Sequence, residues 1–408
     1  MEAPVPGQPI KQMKMQDPRA AETSPDEDDR MPAWREVFLY FLMLGFVNVG
    51  GPVAQITMMF NHMVERRRWL SKDRFVKIMG FCHMLPGPEA LQLAIYVGYL
   101  KRGVGGGVLA GLTFIVPGAA IMILLSWLYV TYGSLPQVND ALFILKPAVL
   151  GIIAAGIIKL GRASIKTPLL AALLAGSIVG MRFLGVNFLV ILLAAGLLHL
   201  LLKEGSPRLR RPPAAAHALF GGLGLGFALT DSRWFQMAWL FLKTGLFSFG
   251  GAYASLIFLQ RGAVDQHHWL TAGQLLDGVA LSVATPGPFM LFTTFAGYLA
   301  GGVPGAIIAT FFVFLPSFVF VLAGARYIEQ VRNNRAVQAF LAGASAAVVG
   351  VIFVVSLALA PEALVSWVSV CIAVSAFLII TLLKRDVALV AAGAMLGGVI
   401  YAAARALA

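Results

Sequence analysis

Twelve apolar stretches follow one another from Val37 onward, at about 37–60, 75–100, 104–131, 138–160, 167–183 and 186–202, then 234–260, 272–299, 303–325, 337–360, 363–382 and 386–404. Most reach or approach the roughly 20 residues that cross a bilayer as a helix. A closed barrel would instead alternate in strands of about ten residues, so the sequence predicts an all-α, polytopic membrane protein. Composition agrees: 59% hydrophobic and 12% charged lie far from soluble usage.

Charge is unevenly spread. Eight of the nineteen acids fall within residues 1–36, and the remaining chain carries an excess of basic groups, as basic membrane loops require. No Lys/Arg run interleaves with aromatics, so no nucleic acid is expected as a partner. Residues 1–35, with six prolines and the acidic run Asp26–Asp29, read as a disordered polar tail with no apolar core for a signal peptide. Cys82 and Cys371 sit in apolar stretches without CxxC spacing, so neither a metal nor a cofactor is expected.

The chain aligns with itself at a shift of 200 residues. Phe41-Leu42, Gly45, Gly50-Gly51 and Ala54 recur as Phe241-Leu242, Gly245, Gly250-Gly251 and Ala254. Trp69-Leu70 recurs as Trp269-Leu270, and Pro86-Gly87-Pro88 as Pro286-Gly287-Pro288. After one deletion the shift becomes 199, carrying Gly98-Tyr99-Leu100 onto Gly297-Tyr298-Leu299, Pro117 onto Pro316 and Gly151 onto Gly350. A constant register over this distance marks a duplication. Two repeats are expected, 36–202 and 219–404, joined by a basic, Pro-rich linker at 203–218; residues 219–229 are left open as an extra helix.

Basic residues crowd 61–77 but not 261–271, and 326–335 but not 132–137. The reversed bias predicts opposite orientation of the halves, an inverted-topology repeat with broken or re-entrant helices. Lys101-Arg102 lies on the same basic side as 61–77, so 75–100 is expected to enter and leave on one face. With 37–60 as one crossing the amino terminus lies on the other face; a hairpin at Gly50-Gly51 reverses that.

In inverted repeats the interruptions mark where a solute binds. The breaks are Asn48 to Pro52 and Leu85 to Glu89 in the first half, with Ser248 to Gly251 and Thr285 to Pro288 in the second. Proline pre-organises a helix start, and glycine before it lets the backbone turn. Helix starts attract anions, each with roughly half a positive charge. The expected binding set is therefore Asn48, Gly50, Gly51, Pro86, Gly87, Pro88, Glu89, Gln92, Ser248, Gly250, Gly251, Thr285, Pro286, Gly287 and Pro288. Simple kinking of packed helices is the alternative use of these residues.

Glu89 is either a dipole-stabilised first-turn residue or the proton-coupling carboxylate. Gln92 faces either an oxyanion or a neighbouring helix, and Asn48 and Ser248 either ligate or cap. Lys146 and Lys243 either snorkel or line an anion path. Arg66 and its neighbours Arg67 and Arg68 fix topology, with anion funnelling as a second role. His83 reads as a packed histidine or as a titrating one. Gly103, Gly107 and Gly111, echoed by Gly301, Gly305 and Ala309, have the small-xxx-small spacing of close helix packing.

The run Leu85-Pro86-Gly87-Pro88-Glu89-Ala90-Leu91-Gln92, followed by Gly98-Tyr99-Leu100-Lys101-Arg102-Gly103, with Gly50-Gly51-Pro52 and Val116-Pro117-Gly118, resembles the chromate transporter family in its two-domain form. That resemblance implies proton-motive-force-driven efflux of chromate across the bacterial inner membrane, with sulfate as the lookalike anion. A homodimer is left open. Ala252 stands opposite Pro52, and Phe289 opposite Glu89, so the half-sites are not chemically equivalent. Like-charge repulsion between a dianion and Glu89 favours symport, whereas the resemblance favours exchange. An enzyme finds no HExxH, GxSxG or P-loop here; a passive channel is the competing reading.

Overall fold

The computed structural model describes residues 30–48, 52–83, 85–133, 135–204, 232–249, 252–324 and 334–407. Gly50, Gly51, Gly250, Gly251, the linker beyond Glu204 and segment 219–229 lie outside the described residues, as does the tail before Arg30. Helices α1 (Trp34–Val47), α2 (Pro52–Phe60, continued by a π-helical turn Asn61–Arg66), α3 (Lys72–Cys82), α4 (Glu89–Tyr132), α5 (Pro136–Ser164), α6 (Pro168–Arg182) and α7 (Phe188–Glu204) build the first half. The second half holds α8 (Arg233–Leu246), α9 (Ser255–Phe258, continued by a π-helical turn Leu259–Gln266) and α10 (Ala272–Ala284). It is completed by α11 (Phe292–Gly324), α12 (Arg335–Ala363), α13 (Trp367–Thr381) and α14 (Val387–Leu407). The expected boundaries at 35 and 202 fall inside α1 and α7 respectively.

Local chemistry places the helix starts. Proline opens α2, α5 and α6, where its missing N–H has no intrahelical acceptor to lose. Ser71, Thr167, Thr271 and Asn334 cap α3, α6, α10 and α12 with side-chain oxygens, satisfying backbone donors that water would otherwise have to reach. Five described helices are long and apolar enough to cross a membrane. Phe183, Leu184, Trp367 and Leu396 are exposed on the outside, as suits a surface in contact with lipid.

Two of the long helices double back. At 1.5 Å per residue, the 44 residues of α4 would extend roughly 66 Å, about twice the hydrocarbon thickness. Instead the chain turns at Arg102 and Gly103, the latter at φ 64°, which glycine adopts without steric penalty. Gly98 then lies so close to Gly106 and Ala110 that a Cβ there would strike both. An equivalent turn at Gly301 and Gly302 folds α11, bringing Gly297 onto Gly305 and Ala309. The small-residue spacing therefore serves close contact both within each hairpin and between hairpins: Gly107 faces Leu322, and Gly111 faces the Phe318 ring.

Segment 37–60 is also a hairpin, not a single crossing. Tyr40 of α1 donates from its hydroxyl to Met58 O at 3.2 Å and stacks on His62 with ring centroids 3.8 Å apart. At its open end the Arg30 N–H donates to Arg68 O at 3.0 Å. Arg102 reaches the same end, donating to Pro32 O at 2.8 Å and lying over the Trp34 ring. Arg30, the first described residue, therefore lies beside the basic groups at 66–68 and 101–102, as a hairpin at Gly50-Gly51 would place it.

The returning limbs of the two long hairpins run antiparallel. Because Gly107 meets Leu322 and Gly111 meets Phe318, the returning limb of α4 opposes its own repeat equivalent in α11. The halves also exchange helices: α5 packs against α13 and α14, and α12 against α6 and α7. Gly151 sits on Ala373 and Ala376, while its equivalent Gly350 sits on Leu174 and Ser177. The antiparallel relation makes a membrane-level prediction. In a Cys371→Ser background, Glu65→Cys and Asp265→Cys should react with an impermeant thiol reagent from opposite sides of the membrane; reaction from one side would refute it.

Candidate functional site

The interruptions of both halves meet between them. Gly87 N–H donates to Ser248 O at 3.0 Å, and Gly287 N–H donates to Asn48 O at 2.9 Å. Each Pro-Gly-Pro thus bonds to the residue ahead of the other half's Gly-Gly break. Both glycines adopt left-handed backbone, φ 114° at Gly87 and 112° at Gly287, a region that side-chain-bearing residues rarely enter. A Cβ on Gly87 would meet Ser317 Oγ and Gln92 Nε2, and one on Gly287 would approach Gly118 Cα. Ser317 and Gly118 follow the matching prolines Pro316 and Pro117, so the returning limb of each hairpin lies against the break of the opposite half.

The predicted polar residues divide here. Ser248 donates its hydroxyl back to Thr244 O within its own helix. Asn48 is fully buried, and neither Oδ1 nor Nδ2 has a hydrogen-bond partner. Gln92 donates from Nε2 to Pro86 O, tying α4 to its own break rather than to another helix. Its Oε1 is buried without a partner, as is the Ser317 hydroxyl. Thr285 donates to Ser282 O at 3.3 Å, closing the end of α10. The central glycine N–H groups are already donated, so among the described residues the donors beside the Pro-Gly-Pro breaks include Asn48 Nδ2, Ser317 Oγ and the opening N–H groups of α4.

Glu89 stands at the first position of α4, with Oε2 3.1 Å from His83 Nε2. The other ring nitrogen, Nδ1, is 2.7 Å from Met79 O. A carbonyl only accepts, so Nδ1 carries hydrogen, which leaves Nε2 facing Oε2 across a gap that one proton can bridge. In the second half the corresponding place is apolar: the Phe289 ring packs at a tilt against Tyr253 and Phe292.

Lys146 does not snorkel. Its ammonium lies 3.0 Å from Asp277 Oδ1, and Tyr129 donates to Asp277 Oδ2 at 2.8 Å. Lys243 instead lies over the Trp239 ring, and Arg66 is exposed at the end of its π-helical turn. Sequence reading passed over Asp277, although one acid in the apolar run Leu275 to Ala284 was a signal. It also passed over Gln55, whose buried amide donates to Gly287 O at 3.0 Å, and Ser317. Among the described residues no cluster of His, Cys, Asp and Glu could hold a metal ion.

This is a helical, multi-pass membrane protein built of two related halves around paired backbone breaks. The sequence profile described as "Chromate transporter" matches residues 35–200 and again 235–399, and the chain belongs to that family. It is 36% identical over 335 residues to the chromate transport protein of Pseudomonas aeruginosa, covering 78% of this chain and 79% of that one. To the chromate transport protein of Cupriavidus metallidurans it is 32% identical over 371 residues, 90% of this chain and 92% of the relative. An uncharacterized transporter of Methanocaldococcus jannaschii is 30% identical over 74% of this chain and 78% of its own. No solved structure matches.

Asn48 yields a test that separates function from stability. Leaving a buried polar group unsatisfied costs about 1–3 kcal/mol, so Asn48→Leu should raise the melting temperature of the purified protein while abolishing transport. Gly87→Ala should lower it, since a strained φ costs on the order of 1–3 kcal/mol. Destabilisation by Asn48→Leu would mean that its amide has a partner after all.

Proposed function

We propose that the protein is a secondary transporter that exports chromate across the bacterial inner membrane in exchange for protons. The observation that carries this reading is the buried, unpartnered Asn48 side chain beside two interrupted helices that bond to one another. A tetrahedral dianion presents only acceptors, and it is met here by amide, hydroxyl and helix-start N–H donors. Such dipoles attract an anion without fully neutralising it, which leaves it free to depart. The family's printed description and the names of the Pseudomonas and Cupriavidus relatives support chromate as the cargo. Sulfate shares the same shape and charge and is the competing cargo.

Glu89 with His83 is the proposed proton site. The pair brings Nε2 and Oε2 to 3.1 Å, a separation that one proton can bridge, and Glu89 lies in the first turn that would face the anion. For exchange, loading of the dianion from the cytoplasm has to expel that proton through His83, and the empty carrier has to return with the pair protonated. Thr285 to Pro288 and Ser248 act as the opposite wall, holding the backbone geometry rather than supplying charge.

Purified protein in proteoliposomes should drive chromate uphill when a pH gradient is imposed. Downhill flux indifferent to the gradient would instead identify a passive channel, and sulfate flux without chromate flux would reassign the cargo. Glu89→Gln, neutral and of nearly the same shape, should keep chromate binding and lose the response to the gradient. An unchanged response would reduce Glu89 to a helix-start residue.

A further inference from the structure

A second charged cluster lies away from the breaks. Asp277 is eight residues before Thr285 on α10, and Tyr129 is eleven residues beyond Gly118 on α4, so both stand roughly 12–16 Å along their helices from the crossed glycines. The direction is fixed by the hairpins. The α4 hairpin turn at Arg102 lies beside Arg30 and the Arg68 loop, and Tyr129 is at the far end of the returning limb. The cluster therefore lies toward the face opposite those basic groups.

Four features describe it. The ion pair joins the halves, Lys146 and Tyr129 from the first and Asp277 from the second. It is lopsided in access, the Lys146 side chain being 23% exposed and that of Asp277 4%. It is held on both carboxylate oxygens: the ammonium is 3.0 Å from Asp277 Oδ1, and Tyr129 donates to Oδ2 at 2.8 Å, so the carboxylate keeps one partner if it gives up the other. Finally, the repeat does without it. Asp277 aligns with Lys77 at the 200-residue shift and Lys146 with Ser345 at 199, while α12 still packs into the opposite half much as α5 does.

A buried ion pair is a poor way to hold helices together, since apolar replacements of the same volume are often as stable or more so. A part-exposed cation held by a sealed carboxylate that has a second donor in Tyr129 is instead suited to changing partner. Pro147 next to Lys146 adds local freedom, because its missing N–H leaves the carbonyl of Phe143 without its usual donor. Glu362, beside Gly273 at the start of α10, adds negative charge at the outer end of the same helix.

We propose that Lys146 is a second oxyanion-binding position on the path, beyond the breaks, and that Asp277 is its displaceable counter-ion. An anion leaving the breaks takes the ammonium, while Tyr129 keeps hold of Asp277. When the anion departs, Asp277 reclaims Lys146, which clears the position and hinders return. This rests on the reading of the protein as an oxyanion transporter.

The test uses full-length protein in proteoliposomes, with chromate and sulfate as probes and size-exclusion behaviour as the check on folding. Lys146→Gln should raise the apparent KM for the anion roughly tenfold or more, the loss expected for a charge-assisted contact, and Lys146→Arg should restore it. Asp277→Asn should act in the opposite sense, lowering KM and kcat together because the anion is no longer displaced. A merely structural pair would shift both variants the same way, and that result overturns the proposal. So does a Lys146→Gln/Asp277→Asn protein, neutral and balanced, that transports with unaltered KM and kcat. If the unmodified protein moves neither anion, the transport reading fails as well, which distinguishes the two failures.

Discussion

A helix interrupted inside an apolar layer leaves N–H and C=O groups that no water can reach, each costing several kcal/mol if unpaired. Everything else in this structure is arranged around that debt at the four breaks. Gly87 and Gly287 give their N–H groups to Ser248 and Asn48 of the opposite halves, and Gln55 covers the carbonyl of Gly287. Neither central glycine N–H finds its acceptor within its own half. The antiparallel hairpins and the exchange of α5 and α12 bring the breaks to one another, and the glycine-lined contacts at Gly98, Gly107 and Gly118 let backbones approach closely enough to do so.

The scaffold is symmetric while the chemistry is one-sided. Turns at Arg68 and His268, at Gly103 and Gly302, and at Gly87 and Gly287 repeat to within a few degrees of φ. Side chains at matching positions do not: Asn48 faces Ser248, Gln55 faces Ser255, His83 faces Val283, and Glu89 faces Phe289. Duplication supplied two equivalent frames, and polar groups that would repel or outnumber a single ligand if doubled are kept in one of them. The orphaned amide of Asn48 beside the self-bonded hydroxyl of Ser248 is the sharpest instance.

Much of the fold was legible in the sequence, because long apolar segments, Pro-Gly-Pro repeats and reversed loop charge each have a direct physical meaning. The repeat and the return of segment 75–100 to its starting face could be read from register and charge alone. The Pro-Gly-Pro breaks were legible as interruptions, but the role of their glycine N–H groups was not. Whether those groups face a ligand or another carbonyl depends on contacts between residues about 160–240 positions apart. Asp277 escaped for the same reason: an isolated acid in an apolar run acquires meaning only beside Lys146 and Tyr129, and nothing local to any of the three announces the others. Gln55 and Ser317 carry no motif at all.

The exchange of long helices has a bearing on how the chain is made. When α5 emerges from the ribosome, the surfaces it will finally rest on, around Ala373 and Gly398, are still more than two hundred residues from synthesis. At ordinary elongation speeds that is a wait of roughly 10–45 s, during which Gly151 and the Lys146 ammonium must be tolerated by lipid, by neighbouring first-half helices or by the insertion machinery. The first half is therefore an insertion intermediate with an open flank, and the second half closes it as it arrives.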